Sequence, residues 1–229
     1  MQPSNLNTTA ILIFANSHGV DAERKNIPQS GPLFKSLNEE IVSKVEKTGL
    51  PFFLYSEELQ IGVDFGARFT AAIQSIFSKG YDCIITVGND TPNLSVSDIH
   101  QAHTNLIQGK TVIGPSTDGG IYLLGIHKNR FEPIGFRQLP WQKQHLFQET
   151  ARFFMRRGML HQLPRLTDID CVADIQRVIG HRDSISIALF RLLLSMVRTK
   201  SLNPIYQYRT SNSIEVNHPF NKGSPSRLF

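Results

Sequence analysis

A chain of 229 residues with 40% hydrophobic content carries enough apolar material for one sizeable core. Its net charge of +5 comes from scattered Lys and Arg, with one modest cluster at Arg152, Arg156, Arg157 and Arg165; this suits a small polyanion and falls short of the dense basic stripe of a nucleic-acid binder, so no nucleic acid is expected. Two cysteines, Cys83 and Cys171, give neither a disulfide framework nor a metal pattern, no stretch reaches membrane-span length, and the first ten residues show no leader pattern, so a reduced cytoplasm is the expected setting.

Residues 10–15 are a continuous apolar run, the look of a strand covered on both faces. Leu33, Leu37, Ile41 and Val45 recur every four residues within 33–47, and Gly49 sits where a helix-ending glycine belongs. A second strand is predicted at 51–55. Phe65, Phe69, Ala72, Ile73, Ile76 and Phe77 then line one face of a helix closed by Gly80.

Residues 83–87 form the third strand. Ser95 and Asp98 make an S-x-x-D start signal for a helix carrying Ile99, Ala102 and Leu106. Strands at 111–113 and 121–124 follow, the direction of the second being open. Helices are predicted at 146–157, 172–179 and 184–197, with Asp170 as N-cap of the middle one. The remainder, rich in Asn, Ser, Pro and Arg, reads as a loose tail. Alternating strands and helices predict an α/β fold, a mainly parallel sheet with helices on both faces. Residues 1–180 would form one domain, and 181–229 a C-terminal helix and flexible tail.

Two turns carry the chemistry. Asp90 follows the third strand beside Asn89 and Pro92, and Asp118 precedes Gly119 and Gly120. A carboxylate in such a turn can hold a metal, and glycines let a phosphate approach bare backbone. The same residue types are ordinary turn formers, and a helix start at Asp90 or a hairpin at Asp118 would explain each one separately. The position of Asp90 past a strand's carboxyl end favours function, because open α/β sheets bind ligands there.

The spacing of the pair adds a resemblance. Gly88, Asp90, Pro92 and Leu94 form GxDxPxL; Gly114, Pro115, Asp118, Gly119, Gly120, Tyr122, Leu123, Leu124 and Gly125 form GPxxDGGxYLLG. With Gln60 to Gly62, Phe65 to Phe69, Leu139 to Trp141, Leu163 to Asp170 and Asp174, these motifs resemble bacterial DUF2064-type proteins of the nucleotide-diphospho-sugar transferase (GT-A-like) superfamily. The likeness covers about residues 8 to 180. It implies a three-layer α/β/α fold and a nucleotidyl- or glycosyltransferase acting on a nucleotide or nucleotide sugar with Mg²⁺ or Mn²⁺. Asp90 is then the first metal ligand and Asp118 the second, and both are catalytic in that sense. Asn89 is placed to orient Asp90, Gly119 and Gly120 to admit a phosphate or sugar, Arg68 to clamp phosphate, and Tyr122 and Trp141 to stack on a base or sugar.

One segment departs from the pattern. Relatives follow the first strand with a Gly-rich or Lys-Thr-Arg grip on the phosphates, whereas residues 16–25 hold one glycine and no such run. Arg24, Lys25 and Lys35 are the basic residues placed to substitute. Two readings follow, an active transferase and a catalytically inactive relative serving as a ligand-binding or interaction protein. Oligomeric state is not legible.

Overall fold

The computed structural model describes residues 8–201 apart from 26, 29, 182 and 183, with the backbone alone at 198–201. The tail expected beyond them lies outside the described residues. Six strands, β1 (Thr9–Phe14), β2 (Phe52–Tyr55), β3 (Cys83–Val87), β4 (Thr111–Pro115), β5 (Ile121–His127) and β6 (Leu160–Gln162), form one sheet in the order β2-β1-β3-β5-β4-β6. β1 runs parallel to β2 and β3, and β4 parallel to β6. β5 is antiparallel to both of its neighbours. Its direction follows from its connection: residues 116–120 are too few for the crossover that a parallel pair requires, and Ser116 N–H donates to the Gly120 carbonyl at 3.0 Å to close a hairpin.

The helices are α1 (His18–Arg24), α2 (Gly31–Glu46), α3 (Phe65–Ser78), α4 (Val96–Ile107), α5 (Pro133–Arg137), α6 (Leu146–Met155), α7 (Val172–Ile179) and α8 (Ile187–Ser201). Strand alternation divides the core into two layers. Ile11, Ile13, Ile85 and Val112 point toward Ile41 and Val45 of α2 and Ile99, Ala102 and Leu106 of α4. Ala10, Leu12, Ile84 and Ile113 point toward Phe69, Ile73 and Ile76 of α3, Phe136 of α5 and Phe154 of α6. The expected sandwich of a sheet between helical layers is therefore present. A third cluster joins Leu33, Phe34 and Leu37 of α2 to Ile175 and Val178 of α7 and to Leu189 and Leu193 of α8.

The S-x-x-D signal forms a reciprocal cap on α4: Ser95 Oγ accepts the Asp98 N–H at 3.0 Å, and Asp98 Oδ2 accepts the Ser95 N–H at 2.9 Å. The start of α7 differs from expectation. Its N-cap is Cys171, and Asp174 Oδ2 accepts the N–H groups of Cys171 and Asp170 at 2.9 and 3.1 Å. With those amides satisfied by the acid in the first turn, the Asp170 carboxylate is turned elsewhere.

Candidate active site

A cleft of 590 Å³ opens where the carboxyl ends of β1 and β3 meet the amino end of β5. Phe14, Ala15 and Asn16 leave β1 into it, Gly88, Asn89 and Asp90 leave β3, and Gly120, Ile121 and Tyr122 enter β5. Because β5 runs backwards, its first residues share an edge with the last residues of its neighbours. The Asp90 and Asp118 turns therefore both line one cleft.

At the acidic end, Lys25 Nζ lies 2.7 Å from Asp90 Oδ2 and 2.9 Å from Asp170 Oδ1, and it donates to the Ile169 carbonyl at 2.9 Å. Burial works against the ammonium, but the charges of Asp90 and then Asp170 outweigh it and hold Lys25 protonated well above the ordinary lysine range. The segment from Asp168 to Asp170 is fixed to the Asp90 turn by main chain, with Ile169 N–H donating to the Asp90 carbonyl at 2.8 Å. Asp168 accepts a 2.5 Å hydrogen bond from Thr91 Oγ1. Burial, and next the charge of Asp90, push its carboxyl up to about 7, and Asp118 adds to that repulsion.

Asn89 does not reach the Asp90 carboxylate. Its Nδ2 donates to Asp21 Oδ2 at 2.8 Å and to Asn38 Oδ1 at 2.6 Å, and Asn16 Nδ2 donates to Asp21 Oδ1 at 2.8 Å. This buried polar knot ties the β3 turn to α1 and α2. Asp118 is exposed, with Oδ1 accepting the Gly120 N–H at 2.8 Å, so it closes the hairpin and also borders the cleft.

Gly119 has a packing task. At φ 94° its missing side chain leaves room for Gln144, whose carbonyl oxygen would lie 1.7 Å from an added Cβ. Phe147 N–H also donates to the Gly119 carbonyl at 2.9 Å, so the chain itself covers this glycine. Gly120 lines the cleft. The Tyr122 ring is buried against Gly114 and its hydroxyl donates to the Pro164 carbonyl at 2.8 Å. Trp141 lines the cleft half-buried, inside a cluster with Phe65, Phe69 and Phe136, and its Nε1 donates to the Phe136 carbonyl at 3.1 Å. Arg68 lines the same cleft from α3. Of the three basic residues placed to substitute for the phosphate grip, Arg24 and Lys25 line the cleft, whereas Lys35 is exposed and faces Glu39.

The donor chemistry is that of hard cations. Asp90, Asp118, Asp168 and Asp170 all line the cleft with Lys25 as the ammonium between Asp90 and Asp170, and Asp168 is raised first by burial and then by the charge of Asp90. Among the described residues no three His, Cys, Asp or Glu side chains converge closely enough to hold a metal by themselves. That arrangement fits an ion of the Mg²⁺ type, which takes one or two carboxylates and fills its shell with water and phosphate oxygens. Lys25, Asp168 and the Asp21 knot carry no periodic signal of their own; only the folding of 168–170 onto the Asp90 turn brings them together.

Residues 54–143 match the family described as "Uncharacterized protein conserved in bacteria (DUF2064)". No curated protein matches the chain. A solved structure of a candidate nucleotide-diphospho-sugar transferase from Desulfovibrio desulfuricans G20 superposes with a TM-score of 0.72 at 24% identity, covering 83% of this chain and 97% of that one. Rv0371c from Mycobacterium tuberculosis H37Rv superposes with a TM-score of 0.53 at 12% identity, covering 77% and 100%. These likenesses bear on the fold. No described helix is long and apolar enough to cross a membrane.

Proposed function

We propose that this chain, whose residues 54–143 match the DUF2064 family and whose fold is that of the nucleotide-diphospho-sugar transferases, binds a nucleotide or nucleotide sugar in its cleft and transfers the nucleotidyl or glycosyl group. The observation that carries this reading is the carboxylate group around Asp90, buried enough to lift Asp168 and set beside one lysine at the sheet's carboxyl edge. A divalent ion, held by Asp90 with Asp118 or Asp168, would neutralise charge on the phosphoryl oxygens. Lys25, lying between Asp90 and Asp170, keeps the acids in place before ligand arrives and offers its ammonium to a phosphate oxygen when one does. Trp141 and the other aromatics give the cleft a dry wall that strengthens these charge interactions.

Thermal-shift measurements with nucleoside triphosphates and nucleotide sugars, with and without Mn²⁺, test the proposal. A shift that requires Mn²⁺ and disappears in Asp90→Ala is expected. Absence of any shift across the set would leave the non-catalytic reading in its place.

A further inference from the structure

Of the four cations among the described residues that line the cleft, Lys25 meets carboxylates, whereas Arg24, Arg68 and Lys143 make no ion pair or side-chain hydrogen bond with another described residue; Arg24 acts on the Glu57 carboxylate through its charge, which leaves Arg68 and Lys143 uncommitted. Lys143 is delivered by a loop anchored at both ends. Trp141 is locked in the aromatic cluster on one side, and the Gln144 carbonyl sits in the space left by Gly119 on the other. Between these anchors Gln142 adopts φ 62°, a left-handed conformation uncommon outside glycine, and it too lines the cleft. Strain of this kind persists where the surrounding structure fixes a side chain in place.

Just before α3, the helix that carries Arg68, the chain exposes apolar side chains on a fixed support. Leu59, Ile61 and Val63 are 54%, 79% and 88% exposed. Their loop does not hang free: Gln60 Nε2 donates to the Tyr55 and Ala15 carbonyls at 3.1 and 3.3 Å, and Asp64 caps α3 through the Ala67 N–H at 2.6 Å. Gly62 is pressed so closely on α3 that an added Cβ would lie 2.7 Å from the Arg68 main-chain nitrogen. Ile61 and Val63, on either side of Gly62, are thus held against the first turn of α3, the helix that carries Arg68.

We propose that this junction binds an amphiphilic anion, whose phosphate or carboxylate enters between Arg68 and Lys143 and whose apolar part lies along Ile61 and Val63. The inference rests on the transferase reading and names the class of its second substrate, the group acceptor. On that reading a donor's phosphates are met by Lys25 and by the cation that the acids would hold, and they have no use for an apolar lip. An acceptor with an anionic head and an apolar body satisfies both features at once.

Calorimetric titration of the full chain with hexyl phosphate, inorganic phosphate and hexanol tests this. Hexyl phosphate should bind about tenfold more tightly than inorganic phosphate, and hexanol not measurably. The double variant Ile61→Ser with Val63→Ser changes exposed residues, so the fold is retained; it should bring hexyl phosphate down to the level of inorganic phosphate. Arg68→Ala with Lys143→Ala should weaken both anions tenfold or more. Equal binding of the two phosphates, or an unchanged double serine variant, overturns the proposal, as does a lip whose substitution alters only the sedimentation of the protein. If the nucleotide shifts fail while these results hold, the transferase reading falls and the anion site stands; if the shifts hold and the hexyl advantage is missing, this inference alone falls.

Discussion

Lys25 and Asp90 meet at 2.7 Å inside the cleft, and the same ammonium reaches Asp170 at 2.9 Å. One positive charge thus joins the end of β3 to the segment before α7, two stretches about eighty residues apart in sequence. Lys25→Met should leave the partly buried Asp90 and the exposed Asp170 uncompensated and cost about 1–2 kcal/mol, most of it at Asp90. Urea unfolding checks the loss. Mn²⁺ should restore part of it, since a divalent ion can take up the released charge; a variant as stable as the parent would show that the pair contributes only in solvent.

Asp168 gives a pH dependence with a defined sign. Its folded value of about 7 lies above its ordinary 3.8, so the folded chain keeps a proton that the unfolded chain releases. This contribution is fully present below pH 3.8 and is lost as pH rises through about 7. In metal-free protein the melting temperature should therefore fall across that window. Asp168→Asn should remove this component of the slope, and melting curves of the two proteins from pH 4 to 8 decide it.

Gly119→Ala should be among the most damaging single-methyl additions in the chain. It combines φ 94° with a Cβ 1.7 Å from the Gln144 oxygen, and the neighbour is main chain that must move as a unit. A loss of about 2–4 kcal/mol is expected from strain and overpacking together. Trp141 fluorescence should report the displaced 141–146 loop. Gly120→Ala, whose nearest neighbour is the Asp118 carboxylate at 3.1 Å, should cost less.

Asp21→Ala removes the acceptor shared by Asn16 and Asn89. Leaving those amides short of a partner in a buried setting should cost about 1–3 kcal/mol in thermal or urea unfolding. If α1 is the element released, amide exchange should rise there and at the Asn89 turn before the rest of the sheet.

The main elements were legible because their burial writes a period into the sequence. β3 at Cys83–Val87 is buried at every position, and α3 repeats Phe69, Ile73 and Ile76 on one face. α1, α5 and β6 were not legible: seven, five and three residues are too short for either period to show. In the site, the Asp90 and Asp118 turns announced themselves through glycine, proline and aspartate spacing. The role of Gly119 did not, since a glycine vacated for a ligand and one vacated for the Gln144 main chain look alike in sequence. Asp170 was read as a cap because an acid before a helix often is one; Asp174 took the amides, which freed Asp170 for Lys25.

The reversed strand β5 has a consequence for how this chain tolerates change. A parallel strand in its place would start at the far rim of the sheet, carrying Gly120, Ile121 and Tyr122 away from Asp90 by the full height of a strand. Residues 116–120 therefore act as a ruler, and lengthening them by even two or three should push Asp118 out of the mouth while leaving every layer of the sandwich intact.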